Sequence, residues 1–271
     1  MNILTLKNSA VFIAVLCLLL TTVTAHSEIN TLAAAINKAG RQRMLTQSMV
    51  KDYCLIGQEI NKEQTIGRLQ QSIALFDSQL NELKAFAPTE ESHDALIRVE
   101  NLWQPLKAIV LAPASRDKVP ALMTADDELL TATHKVVLLL QDISGSTQDR
   151  LVNIAGRQRM LSQRLAKLYM LRAWGFDNAQ VHSDMEQARI EFKGALTELE
   201  NAQQNNAEVT HALTDARRQW NLFEHGLIHN KELVPLIVSV SSDKLLITMN
   251  EITGMYELIA IRTLASKSPE K

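Results

Sequence analysis

Two nine-residue strings, AGRQRMLTQ at 39–47 and AGRQRMLSQ at 155–163, differ only where Thr46 becomes Ser162. A match of this length constrains the architecture before any segment is assigned, because a chain that repeats a motif usually repeats the unit carrying it. The offset is 116 residues and the surroundings keep it: Asn37 matches Asn153, Lys51 matches Lys167, Tyr53 matches Tyr169, and Phe76 matches Phe192. The register then drifts by one, aligning Leu96 and Trp103 with Leu213 and Trp220, and returns where Leu129 and Leu130 match Leu245 and Leu246. The expectation is two copies of one unit, at 26–145 and 146–271, behind an N-terminal segment at 1–25.

Each unit reads as four helices. Apolar residues recur at spacings of three and four through 62–87 and 178–204, and only 4% of residues are aromatic, which disfavours a sheet. The first copy predicts helices at about 28–60, 62–87, 89–112 and 119–144, with Pro88 and Thr89 as stop and start and Pro120 in a first turn. The second predicts about 147–174, 178–206, 208–229 and 233–266. The fold class is therefore all-α, as two tandem antiparallel four-helix bundles. SGSTQD at 144–149 is the joint between them, either a turn or an unbroken helix.

Lys7 followed by AVFIAVLCLLL and the small residues ending at Ala25 reads as a secretory signal, cleaved after Ala25, which makes the mature chain periplasmic. The chain has a net charge of −2, and loss of Lys7 makes it one unit more negative, so nothing points to nucleic acid. Only Cys54 remains after cleavage, so no intramolecular disulfide forms and no cofactor attachment is expected. Nucleophile elbow, phosphate loop and metal-cluster patterns are all missing, so the chain is expected not to be an enzyme. His225 and His229 lie four apart, a spacing that suits a metal, but the first copy has no such pair and a solvated helix end is the expectation. Trp103, Trp220, Met44, Met49, Met160, Met170 and Cys54 are expected in the core.

The repeated box carries the chemistry. On the first helix, Leu32, Ala35, Ala39, Gln42, Leu45, Met49 and Ile56 share one stripe, which closes the unit's own core. Asn37, Gly40, Arg43, Gln47 and Lys51 form a second, polar stripe about 200° away. The other copy repeats it with Asn153, Gly156, Arg159, Gln163 and Lys167. Glycine inside a helix costs roughly 1 kcal/mol against alanine, so Gly40 and Gly156 imply close approach of another helix or a ligand. An even number of antiparallel helices brings the chain back to its starting end, so a turn at the joint would set the two first helices side by side. Arg43 and Arg159 would then face each other, and two guanidiniums about 6 Å apart repel by roughly 3 kcal/mol at an effective dielectric near 20. A small planar anion between them would remove that repulsion and match their paired N–H donors.

NKAGRQRMLTQ and NIAGRQRMLSQRLAKLY closely resemble the signature of the PilJ-type sensor domain, the N-terminal domain of type IV pili methyl-accepting chemotaxis transducers. The same segment is similar to the P-box of NarX-type nitrate/nitrite sensor kinases. The resemblance implies a periplasmic four-helix bundle whose first helices pair and hold nitrate or nitrite, with contacts from Gly40, Arg43, Gly156 and Arg159. Gln47 and Gln163 are supporting donors in this reading, whereas Arg41 and Arg157 point away. The chain ends in SKSPEK without a kinase or signalling region, so signalling would require a membrane-bound partner. The alternative function is a ligand-free interaction or accessory module of a chemosensory or type IV pilus-related system.

Overall fold

A computed structural model of the chain describes residues 29–228 and 233–267. The signal reading and His229 lie outside the described residues. Among these residues the structure is helical, without strands. The helices are α1 (Leu32–Gly57), α2 (Lys62–Phe86), α3 (Glu90–Leu111), α4 (Val119–Ser144), α5 (Thr147–Ala173), α6 (Ala179–Glu200), α7 (Ala207–Ile228) and α8 (Pro235–Lys267). A single 3₁₀ turn, Arg116–Lys118, leads into α4.

Local chemistry sets these limits. Thr31 caps α1 by accepting from the Ala34 amide, and Thr89 forms a capping box with Ser92 at α3. Asn178 and Asn206 cap α6 and α7 through the Val181 and Val209 amides. α6 stops at Glu200, short of the predicted 206, because the asparagine-rich stretch after it makes its own bonds: Asn205 donates to the Leu199 carbonyl. The joint is a turn. Gly145 adopts φ 58° and donates to the Gln141 carbonyl, and Ser146 then caps α5 through the Asp149 amide.

That turn brings α5 back alongside α1. The two run parallel: Gly40 meets Gly156 in the first half of each, and Gln58 bonds the Met170 carbonyl near their ends. α1 packs on α2 and α4, α5 on α6 and α8, and the α1–α5 pairing is the most extensive helix contact among the described residues. Both first helices are therefore covered on two sides, and the polar stripe is as buried as the apolar one.

Outside this seam the core is conventional and duplicated. Trp103 lies against Phe76 at 4.3 Å between ring centroids, and Trp220 stacks on Phe192 at 4.1 Å. Met44, Met49, Met160, Met170 and Cys54 are all buried. Tyr53 and Tyr169 each take the amide leading into the fourth helix of their own copy, from Ser115 and Val234 at 2.9 Å.

Gly57, at the end of α1, lies under the Trp174 ring, and a methyl group added there would come within 2.1 Å of it. Gly57→Ala should destabilise the chain by about 1 to 3 kcal/mol in urea unfolding. Most of that loss should vanish in a Trp174→Ala background if ring overlap is the cause.

Candidate functional site

The box glycines meet where α1 crosses α5. A methyl group on Gly40 would lie 3.9 Å from the Gly156 Cα, and one on Gly156 would lie 4.0 Å from the Gly40 Cα. The space that the missing side chains leave is taken by guanidinium. The same added methyl on Gly40 would meet Arg43 Nη2 at 3.3 Å and Arg159 Nη2 at 3.4 Å. Gly40, Arg43, Gly156 and Arg159 thus form one cluster, and both arginines are wholly buried.

Their partners are neutral. Arg43 shares a 3.0 Å contact with His134 Nδ1 through Nη1 and donates to Asn153 Oδ1 through Nη2 at 2.8 Å. Arg159 donates to Asn250 Oδ1 at 2.8 Å and to the Asn37 carbonyl at 3.0 Å. Neither arginine forms an ion pair among the described residues, and the Nε of each is buried with no hydrogen-bond partner there. Burial pulls the Arg43 guanidinium down to about 9, with the charge of Arg157 adding to the effect, so it stays protonated at neutral pH. Burial likewise lowers Arg159, with Arg41 and Arg43 pushing the same way and Glu257 opposing. Two desolvated cations without an ion pair are costly, and Glu257, the acid that acts on Arg159, accepts from the Asn37 side-chain amide instead.

The next layer does have acids. Lys167 pairs with Asp126 at 2.6 Å inside the protein, and Gln47 donates to the same carboxylate at 2.9 Å. Lys51 pairs with Asp243 and donates to Gln163 Oε1 at 2.8 Å. Gln163 in turn donates to the Ser242 carbonyl. Gln47 and Gln163 therefore sit one turn below the arginines, with their amide N–H groups engaged on α4 and α8. Arg157 pairs with Glu191 on α6, and Arg41 reaches Asn250 at 3.4 Å.

Two residues in this cluster were not singled out from the sequence. His134 on α4 and Asn250 on α8 are counterparts at the 116-residue offset, and each accepts from the arginine of its own copy. The register that returns at Leu129 and Leu130 would have paired them, but nothing in their own surroundings marks them as arginine partners. His134 is half-buried, and desolvation with the charges of Arg43 and Arg157 pushes its imidazole down to about 4, against the pull of Glu191. The neutral ring can then accept from Arg43 at Nδ1.

Residues 25–127 and 145–227 match the family described as PilJ, type IV pili methyl-accepting chemotaxis transducer N-term. Neither a curated protein nor a solved structure gives a match.

The position of His134 generates a pH dependence. Its folded value of about 4 lies below the ordinary 6.5, so the unfolded chain binds the proton more readily. The stabilisation is complete above about pH 6.5 and is lost as pH falls toward 4. Allowing for solvent screening of a partly exposed ring, the loss should be about 1 to 2 kcal/mol. His134→Asn, which copies the Asn250 side, should flatten that part of the stability profile in urea melts between pH 7 and 4. An unchanged slope would show that His134 is not the group responsible.

Proposed function

The chain belongs to the PilJ family of chemotaxis-transducer N-terminal domains, carried here in tandem copies, and from that premise we propose that it senses a small planar oxyanion, nitrate or nitrite, held between Arg43 and Arg159. The observation that carries the proposal is the pair of wholly buried guanidiniums sharing one glycine-lined spot without a neutralising acid. An anion would relieve their mutual repulsion and could accept from the two Nε–H groups that lack partners. Guanidinium presents coplanar donors, so flat oxyanions with two or three oxygens fit better than a spherical halide. The guanidiniums themselves fill the space beside Gly40 and Gly156, so an anion would enter as those side chains turn toward it, with Gln47 and Gln163 supporting the layer below.

Access has a plausible chemistry as well. Asn250 is exposed and His134 half-buried, so an anion can reach the guanidiniums by displacing neutral acceptors rather than by breaking an ion pair. Since α1 and α5 belong to different copies, occupancy would be felt by both bundles, and the tandem arrangement would report it to a membrane-borne signalling partner or simply hold the ligand. The proposed setting is the periplasm, with the chain divided near Gly145 into bundles 26–145 and 146–271 after loss of 1–25. The box residues are then the counterpart of the P-box in NarX-type sensors.

Thermal and urea unfolding of the chain lacking residues 1–25, with nitrate, nitrite, bicarbonate and chloride, tests this. A ligand at a hundred times its dissociation constant should add about 2.7 kcal/mol of stability. Arg43→Met and Arg159→Met should each abolish most of the nitrate effect, because one site uses both side chains. Without anion, each should leave stability unchanged or raise it by about 1 kcal/mol, since a buried uncompensated charge is removed. The proposal fails if nitrate and nitrite shift the midpoint no more than chloride does; a ligand-free interaction module would behave that way.

A further inference from the structure

A second site emerges where the two copies differ. A cavity of about 300 Å³ lies between the start of α2 and the first half of α8, apart from the arginine pair. That volume is at the lower end of small-molecule sites. Leu55, Ile60, Leu236, Val240 and Ile247 form its apolar walls, and Arg68, Asp243 and Lys244 line its polar side. Leu236, Val240 and Ile247 are 49%, 60% and 62% exposed although they lie on one face of α8. Their counterparts on α4 are Pro120, Thr124 and Thr131, so the first copy presents a proline and two threonines where the second presents three larger aliphatic side chains.

The turn beside the cavity differs in the opposite sense. In the second copy Trp174 and Phe176 stand at the positions of Gln58 and Ile60, packed edge to face at 6.1 Å, and Arg116 lies over the Phe176 ring at 5.0 Å. That corner is filled by its own aromatic groups. In the first copy the turn holds Glu59 at φ 59° and Asn61 at φ 47°, both non-glycine residues in the left-handed region, where the second copy has Gly175 at the position of Glu59. Such conformations persist where surrounding structure holds them.

The charges choose the occupant. Arg68 bonds Asp52 at 2.7 Å and lies 3.8 Å from Asp243, which Lys51 also engages. The two acids are thus matched by Arg68 and Lys51, and the exposed Lys244 is the cation left over, with no ion pair among the described residues. We propose that this cleft binds a small amphipathic monocarboxylate, its carboxylate at Lys244 and Arg68 and its hydrocarbon portion along Leu236, Val240 and Ile247. A carboxylate makes the corner electroneutral, and a tail of a few carbons covers the aliphatic side chains that α8 leaves in water.

Calorimetric titration of the chain lacking residues 1–25 with sodium hexanoate tests this, alongside acetate, which lacks the tail, and hexanol, which lacks the charge. Hexanoate should bind saturably and tighter than either. Lys244→Gln should weaken it about tenfold. Val240→Trp, at an exposed position where folding is checked by an unchanged melting temperature, should fill the cleft and abolish binding. Because carboxylates also suit a guanidinium pair, the titration is repeated in the Arg43→Met/Arg159→Met double variant, where hexanoate affinity should be retained. Absence of hexanoate binding, equal binding of hexanol, survival of binding in Val240→Trp, or its loss in the double arginine variant would each overturn the assignment. Since nitrate is read at the arginines and hexanoate here, either proposal can fail alone.

Discussion

Two wholly buried guanidinium groups that form no ion pair among the described residues sit where two helices cross, and the rest of the structure is arranged to tolerate them. Burying a cation in a protein interior is costly unless charge or hydrogen bonds compensate. Here the compensation is partial: four neutral acceptors, one of them a backbone carbonyl, for two wholly buried side chains. The glycines make this geometry possible. Side chains at Gly40 and Gly156 would press on the guanidiniums at 3.2 to 3.4 Å, so the arginine ends would have to shift by a few tenths of an ångström. The α1–α5 spacing thereby sets the relation between the helices packed on α1 and those packed on α5.

The same seam shows that acids can be placed there. Two turns along, a buried lysine is matched with a buried aspartate, Lys167 with Asp126, and Gln47 shares that carboxylate. At the level of Lys51 the acid comes from α8 instead, as Asp243. α4 and α8 thus present carboxylates to the lysine layer, and a histidine and an asparagine to the arginine layer. A purely structural seam would gain from an acid at either of those two positions, since removing the counter-charge of a buried ion leaves an uncompensated charge. The contrast between the arginine and lysine layers supports the proposal that the arginine layer takes a ligand.

Much of this was legible in the sequence, and the limits have physical causes. Helix positions follow from periodicity and caps, and they agree with the structure within a few residues except at the end of α6, where Asn205 terminates the helix with side-chain bonds that a hydrophobic pattern does not register. The facing of Arg43 and Arg159 was deducible because the repeat, the interior glycine and an even helix count together dictate it. His134 and Asn250 were not singled out, because they reach the cluster from α4 and α8, whose register against α1 and α5 is set by packing. Gln47 and Gln163 show the reverse case. They lie on the expected stripe, yet Asp126 and the Ser242 carbonyl, groups from other helices, draw their amides away. The α8 cleft was illegible for another reason: it lies in the differences between the copies, and a search for repetition attends to what matches.

Those differences indicate what a tandem arrangement can do that a symmetric one cannot. In a homodimer with a two-fold axis, any residue beside one arginine recurs beside the other. Placing both copies in one chain lifts that constraint. His134 faces Arg43 where Asn250 faces Arg159, and Arg43 takes a side-chain oxygen from Asn153 where Arg159 takes the backbone oxygen of Asn37. One side of the pair therefore carries a titratable neighbour and the other does not. An anion held between them, as proposed, would meet unequal fields from the two sides. Only one of the two arginines can have its acceptor withdrawn by a proton, which makes acid act on one half of the crossing.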